Sequence, residues 1–434
     1  MTKKQISTIS FWTILGINLL YLNGLFAAYF KTSAFFSPII LLSCVLIIFN
    51  TPRPKYYSNL FIMLLAFYML YMFIGLISII AYPENLHPKT SLYQLFRGYF
   101  SSLLIYWALY QYIANEFFEK GKSRLIELIH KASFLLLLPL FFTIFGGELG
   151  LTESMSFIKD YGDRQIGIFT NPNTTGLHAN YMLCFCFYSI ISNRKGKFFW
   201  LILVGASCYA AFLSLSKAAI LMTLLNLTFF TLFNIIYYFK LKFTGKIISI
   251  FNILLIGYSS FYIYTNFENL TKGLSYASMK RIEDTIALSR GELNDRTTSE
   301  RSGIAKLVFP KIIEHPIIGN GFGSFHRIKE HGLGVHNTAL LIVGETGVVP
   351  SALFLLFTAL YFLHSIKQKE LAYKYLFISL MITFLMIAFL TSHNALDERI
   401  SNVLFGLIVP SIIFLKLDKS VNQANLDCKA NLLK

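Results

Sequence analysis

The sequence predicts an all-α integral membrane protein of about twelve transmembrane helices, with one large loop outside the membrane between spans 9 and 10. Three observations carry that prediction. Only 14% of the 434 residues are charged and 55% are hydrophobic, whereas soluble domains carry about 25% charged residues. The apolar residues fall into long runs, and a membrane-crossing helix needs about 20 of them. Lys and Arg collect at alternate breaks between the runs, as orientation in a bilayer requires.

The predicted spans lie near 9–30, 33–49, 59–82, 92–114, 132–147, 166–191, 198–215, 218–239, 247–265, 338–363, 375–391 and 400–415. Several sit at the lower limit of roughly 17 residues, so a count of eleven also fits. The first run follows Lys3 and Lys4 without a small-residue cleavage site and reads as a span rather than a cleaved leader. With the N-terminus in the cytoplasm, the cytoplasmic segments hold 21 Lys and Arg, the short outer loops hold 6, and Arg97 lies within a span. The remaining 10 sit in the long loop beside 8 acidic residues. Both termini are therefore expected in the cytoplasm. Residues 1–265 carry spans 1–9, residues 266–337 form the outer loop, and residues 338–434 carry spans 10–12 and a cytoplasmic tail.

Composition also excludes some functions. A net charge of +16 could suggest nucleic acid, but the basic residues punctuate apolar runs and make no single patch or stripe. Cys44, Cys184, Cys186 and Cys208 lie inside apolar runs and Cys428 lies in the tail, which gives neither a disulfide framework nor a metal-ligand spacing. There is no evident internal repeat of the kind many transporters show.

The long loop concentrates the chemistry. It holds four of the nine histidines, His315, His326, His331 and His336. Ser302 to Ile313 reads as an amphipathic helix, with Ile304, Leu307, Val308 and Ile312 near helical spacing and a break or kink expected at Pro310. The run Gly319-Asn320-Gly321-Phe322-Gly323 forces a turn. His336-Asn337 closes the loop, and Gly344-Glu345-Thr346-Gly347 follows within the next apolar run. The orientation puts further polar groups on the same face: Arg164, Asn173, Lys217 and His393. Several cations around one cavity suit a phosphate-bearing substrate, Arg as a planar fork and Lys as a point charge. A neutral His suits a general base for a hydroxyl nucleophile. Each residue also has a plainer account: a solvated loop residue for Arg301, a helix cap for His336, interfacial anchors for Arg164 and Lys217. Glu345 and Arg97 are harder to explain that way, because ionisable groups at membrane depth are costly and default to paired or functional.

Arg301, then Pro316-Ile317-Ile318-Gly319-Asn320-Gly321-Phe322-Gly323-Ser324-Phe325, His336-Asn337 and Gly344-Glu345-Thr346-Gly347 resemble the signature of the O-antigen ligase/polymerase superfamily. The stretch Gly167 to Asn173 and Ser216-Lys217-Ala218 resemble other segments of that family more loosely. The resemblance implies a GT-C-like, metal-independent glycosyltransferase of the bacterial inner membrane with no cofactor and a periplasmic active site. The donor it implies is a glycan on undecaprenyl diphosphate, the acceptor a lipid A-core sugar for a ligase or a second lipid-linked glycan for a repeat-unit polymerase. Protein O-oligosaccharyltransferases and a lipid-linked glycan transporter are the remaining readings. By the same resemblance His336, Arg301 and Glu345 are the catalytic residues. Arg164, Lys217, Asn173, Asn337 and His393 bind the diphosphate or glycan, with Glu345 orienting His336 or Arg301. The chain has Lys217 where the family usually has Arg, and lacks the Trp often found shortly after the loop Arg, with Ile304 and Ala305 there instead.

Overall fold

The computed structural model describes residues 1–30, 35–54, 57–146, 149, 164, 166–169, 171–192, 196–240, 275–292, 301–329, 334–390, 395–396 and 398–417, with scattered positions between 243 and 266. Among the described residues every regular element is helical. In chain order these are α1 (Lys3–Leu19), α2 (Leu22–Phe30), α3 (Phe36–Asn50), α4 (Asn59–Ala81), α5 (Leu92–Lys120), α6 (Lys122–Leu135), α7 (Leu137–Ile144), α8 (Pro172–Ile191) and α9 (Lys197–Leu213). They continue with α10 (Lys217–Ile236), α11 (Tyr276–Ser289), α12 (Arg301–Glu314), α13 (Thr338–Thr346), α14 (Val348–Ile366), α15 (Leu371–Leu390) and α16 (Arg399–Phe414).

Among the described residues, five segments are long and apolar enough to cross a membrane: α4, the pair α6–α7, α10, α14 and most of α15. Helices α3, α9 and α16 are apolar but shorter. The outward surface agrees with a lipid environment. Ile80 is 82% exposed and Phe49 79%, with Phe73 and Leu355 also bare; large exposed apolar areas in water mark an interaction surface.

Among the described residues most predicted runs carry helices with shifted bounds, the sixth beginning only at Pro172 instead of 166. The first run divides after Leu19, at Tyr21, whose φ is 52°. The fifth helix run starts earlier than its apolar stretch, at Lys122, because α6 carries polar turns ahead of its apolar part. The tenth divides at Gly347, between α13 and α14. The predicted span 247–265 lies largely outside the described residues.

Helix α8 sits at the centre and is buried nearly all round, as an apolar helix without a polar face must be. It packs on α9, α10 and α15. Asn180 of α8 takes a hydrogen bond from Asn226 of α10 at 3.0 Å, and Asn226 also donates to Thr383 of α15 at 3.1 Å. A second group joins α5 to α3 and α16, and α4 to α14.

Candidate functional site

The glycine-rich turn is built as a cap for α13. A helix ends with carbonyls that have no intrahelical donor. Here Asn320 donates its backbone N–H to the Gly344 carbonyl at 2.8 Å, and Gly321 donates to the Glu345 carbonyl at 3.0 Å. Phe322 donates to the Gly75 carbonyl of α4 at 3.0 Å, and the Ser78 hydroxyl donates to the Ile318 carbonyl. The turn is thus stitched between α4 and α13. Two glycines are required by this approach. Gly319 has φ of 72° and a Cβ there would strike the backbone of Glu345 and Thr346; Gly347 has φ of 75° and a Cβ would strike the backbone of Ile317 and Ile318.

Glu345 stands at the centre of this joint, fully buried. Its Oε2 accepts from the Tyr71 hydroxyl at 2.6 Å, and Tyr71 meets the Tyr99 hydroxyl at 3.3 Å. Its Oε1 accepts from the Phe325 N–H at 3.1 Å and lies 2.8 Å from His326 Nδ1. His326 is 14% exposed, so one partner of the carboxylate reaches the surface. The ring of Phe322 packs against both Tyr71 and Tyr99. A buried carboxylate is tolerated only when paired and hydrogen-bonded, and this one has three direct partners, the Tyr71 hydroxyl of α4 and two groups of the turn, Phe325 N–H and His326.

His336 is not one of those partners. It precedes α13 and Glu345 is near its end. Nine residues at 1.5 Å rise separate them by about 13 Å along the axis, so Glu345 does not orient His336. The carboxylate instead holds the turn and His326, a histidine with no motif around it. Asn337, beside His336, is the N-cap of α13: its Oδ1 accepts from Leu340 N–H at 3.0 Å, and its Nδ2 donates to the Phe389 carbonyl of α15 at 3.1 Å.

A small separate core joins α12 to the turn and to the chain just before α13. Ile304, Val308, Phe325, Ile328, Val335 and Leu341 bury one another, with Ile312 at the edge. Ile304 lies one turn after Arg301, and Val335 adjoins His336. The stripe is Ile304, Val308, Ile312; Leu307 is 44% exposed and lies off it. Helix α12 runs unbroken through Pro310, contrary to the expected break. A proline removes one helical donor, and the apolar stripe of Ile304, Val308 and Ile312 continues on both sides of it.

The second cluster gathers Arg164, Asn173 and Lys217 around the turn between α9 and α10. Arg164 Nε donates to the Ser214 carbonyl at 3.0 Å. Ser216 caps α10 and donates its hydroxyl to Asn173 Oδ1 at 2.7 Å. Lys217 Nζ lies 2.7 Å from Asp284 Oδ2 of α11, both side chains largely buried. Lys217 thus cross-links α10 to α11. Asp284, its partner, had no motif to reveal it. His393 lies outside the described residues. Among the described residues no group of three or more His, Cys, Asp or Glu could hold a metal ion.

No protein-family model matches the chain, and no curated protein matches it.

Proposed function

We propose that the chain is a multi-pass glycosyltransferase of the bacterial inner membrane, with a GT-C-like arrangement of about twelve crossings. It transfers a glycan from undecaprenyl diphosphate to an acceptor sugar hydroxyl, in the manner of an O-antigen ligase acting on lipid A-core. The observation that carries the reading is the small core under the outer segment. In it Ile304 follows Arg301 by one helical turn and Val335 adjoins His336 in sequence, which supports bringing the two residues to one site. A guanidinium and an imidazole at one site are what the transfer needs. The acceptor hydroxyl loses its proton to neutral His336 as its oxygen attacks the anomeric carbon. The bond from that carbon to the diphosphate oxygen breaks, and the lipid diphosphate leaves with the electron pair. Arg301 and Arg164 stabilise the charge that develops on it. Lys217 keeps α11 on α10 through Asp284, and Glu345 keeps the glycine turn in place.

The test is transfer by the purified protein in lipid vesicles, given an undecaprenyl-diphosphate glycan and either lipid A-core or more donor. Glycan joined to lipid A-core and released undecaprenyl diphosphate support the reading. Chain growth on the donor alone assigns the polymerase reaction to the same residues. Donor that crosses the bilayer covalently unchanged, with no product, overturns it in favour of transport.

A further inference from the structure

A polar cavity of about 160 Å³ lies among α1, α3, α5 and α16, away from the Glu345 joint. Its walls include Arg97 and Gln94 of α5, Arg399 and Asn402 of α16, Asn18 of α1 and Ser37 of α3. The cavity sits at one end of the bundle, where α3, α5 and α16 begin and α1 ends. On α5, Arg97 and Tyr99 are two residues and thus about 200° apart; Tyr99 meets Tyr71 while Arg97 meets the cavity.

Two features mark it as built for a ligand. The first is charge. Among the described residues that line the cavity are two arginines and no carboxylate. Arg97 lies over the Tyr93 ring at 5.7 Å, and among the described residues no ion pair joins it. Arg399 Nη2 donates to the Ser37 hydroxyl at 3.1 Å, which directs its fork along the wall. The second is an unmet acceptor. Asn18 is 1% exposed, and its Nδ2 donates to the Ile14 carbonyl at 2.8 Å. Its Oδ1 has no hydrogen-bond partner among the described residues, although buried polar atoms are nearly always satisfied. Asn402 beside it is satisfied on both ends, by Tyr106 at 2.9 Å and Ser102 at 2.7 Å. The Arg97 fork, with a second positive charge on Arg399 in the same wall, calls for an oxyanion with several acceptor oxygens, and the lone Asn18 Oδ1 calls for a hydroxyl next to it.

We infer that this cavity binds a phosphoryl group flanked by hydroxyls, with Arg97 and Arg399 on the phosphoryl oxygens and Asn18 accepting from a neighbouring hydroxyl. A hydroxylated lipid headgroup and a soluble polyol phosphate share that chemistry, and the site is independent of glycan transfer.

The experiment uses the full chain in polyoxyethylene ether micelles, which contain no phosphorus. Dihexanoyl phosphatidylglycerol and glycerol 3-phosphate are titrated separately, and binding is read from broadening of the phosphorus-31 resonance. Saturable binding of at least one probe is expected, weakened about tenfold or more in Arg97→Gln and in Arg399→Gln, as loss of one charged hydrogen bond implies. Arg53→Gln, an exposed residue outside the cavity, leaves it unchanged. Binding of the lipid alone assigns a headgroup site; binding of glycerol phosphate assigns a soluble ligand. Asn18→Asp keeps both arginines and adds a repelling charge, so it decides the matter if an arginine variant fails to fold, and it too should lose binding. Absence of binding by either probe overturns the inference. So does wild-type affinity in the folded arginine variants or in Asn18→Asp.

Discussion

At the residue scale, the buried carboxylate of Glu345 separates two roles that its position alone would confuse. Removing it strands the Tyr71 hydroxyl and the Phe325 N–H in a dry joint, and each stranded buried group costs about 1–3 kcal/mol. Glu345→Ala should therefore lower the unfolding midpoint of the purified protein by several degrees, whereas Glu345→Gln, which keeps an acceptor and the shape, should lower it far less. A midpoint unchanged in Glu345→Ala would show that the joint does not hold the turn. Arg301 and His336 should behave in the opposite way, with normal stability and lost glycan transfer. Arg301→Lys keeps the charge but not the planar fork, and loss of one preorganised contact to developing charge costs about 10²–10³ in rate. His336→Gln keeps hydrogen bonding but takes no proton near neutral pH, so full transfer by that variant would remove the base from the mechanism. Both are read by surface-glycan immunoblot in cells lacking the native protein.

At the element scale, the turn from Pro316 to Phe325 acts as the missing end of α13. Gly319→Ala places a methyl against the backbone of Glu345 and Thr346 at a positive φ. It should reduce the yield of folded protein sharply, as measured by size-exclusion profile in detergent. The junction of α5 and α6 carries a second, independent prediction. Burial acts to raise the Glu116 carboxyl, but hydrogen bonds from Arg124 at 2.6 Å and Lys120 at 3.0 Å outweigh it and hold the group below its ordinary range. A carboxyl depressed in the folded state contributes stability above the unfolded value and loses it as pH falls through the folded one. The unfolding midpoint should thus decline as pH drops below the ordinary 4.5, and Glu116→Gln should flatten that decline. The helices themselves were legible because apolar runs of the right length have few other uses. Glu345 was legible as a costly group, while the roles proposed for Arg301 and His336 rest on the motif around them. Its partners were not, since Tyr71 and His326 reach it from a distant helix and an aperiodic turn. Asp284 was hidden for the same reason: on a short polar helix one aspartate looks like any solvated charge until Lys217 is seen against it. The continuity of α12 through Pro310 depended on burial of Ile304 and Val308, which periodicity suggests but does not weigh against a lost hydrogen bond.

At the scale of the whole molecule, the bias of 21 against 6 basic residues predicts a fixed orientation. Single cysteines placed at positions 301 and 336 should react with an impermeant thiol reagent from outside the cytoplasmic membrane, and those at 122 and 369 only after permeabilisation. The reverse pattern would sink both the topology and the mechanism. The Glu345 joint spans the chain in another sense, since Tyr71 and Glu345 are 274 residues apart. At synthesis rates of about 5–20 residues per second, roughly 15–55 s pass between the emergence of the two. Tyr71 and Ser78 enter the bilayer first, and a hydroxyl can wait there bonded to its own helix, as Ser78 is to the Ile74 carbonyl at 2.8 Å. The carboxylate, which the bilayer tolerates least, is made last, when its hydroxyl donors and the glycine turn already exist. Translation order thus spares the ribosome-bound chain an unpaired charge in lipid, and a copy that stops short of Glu345 leaves the glycine turn with nothing to cap.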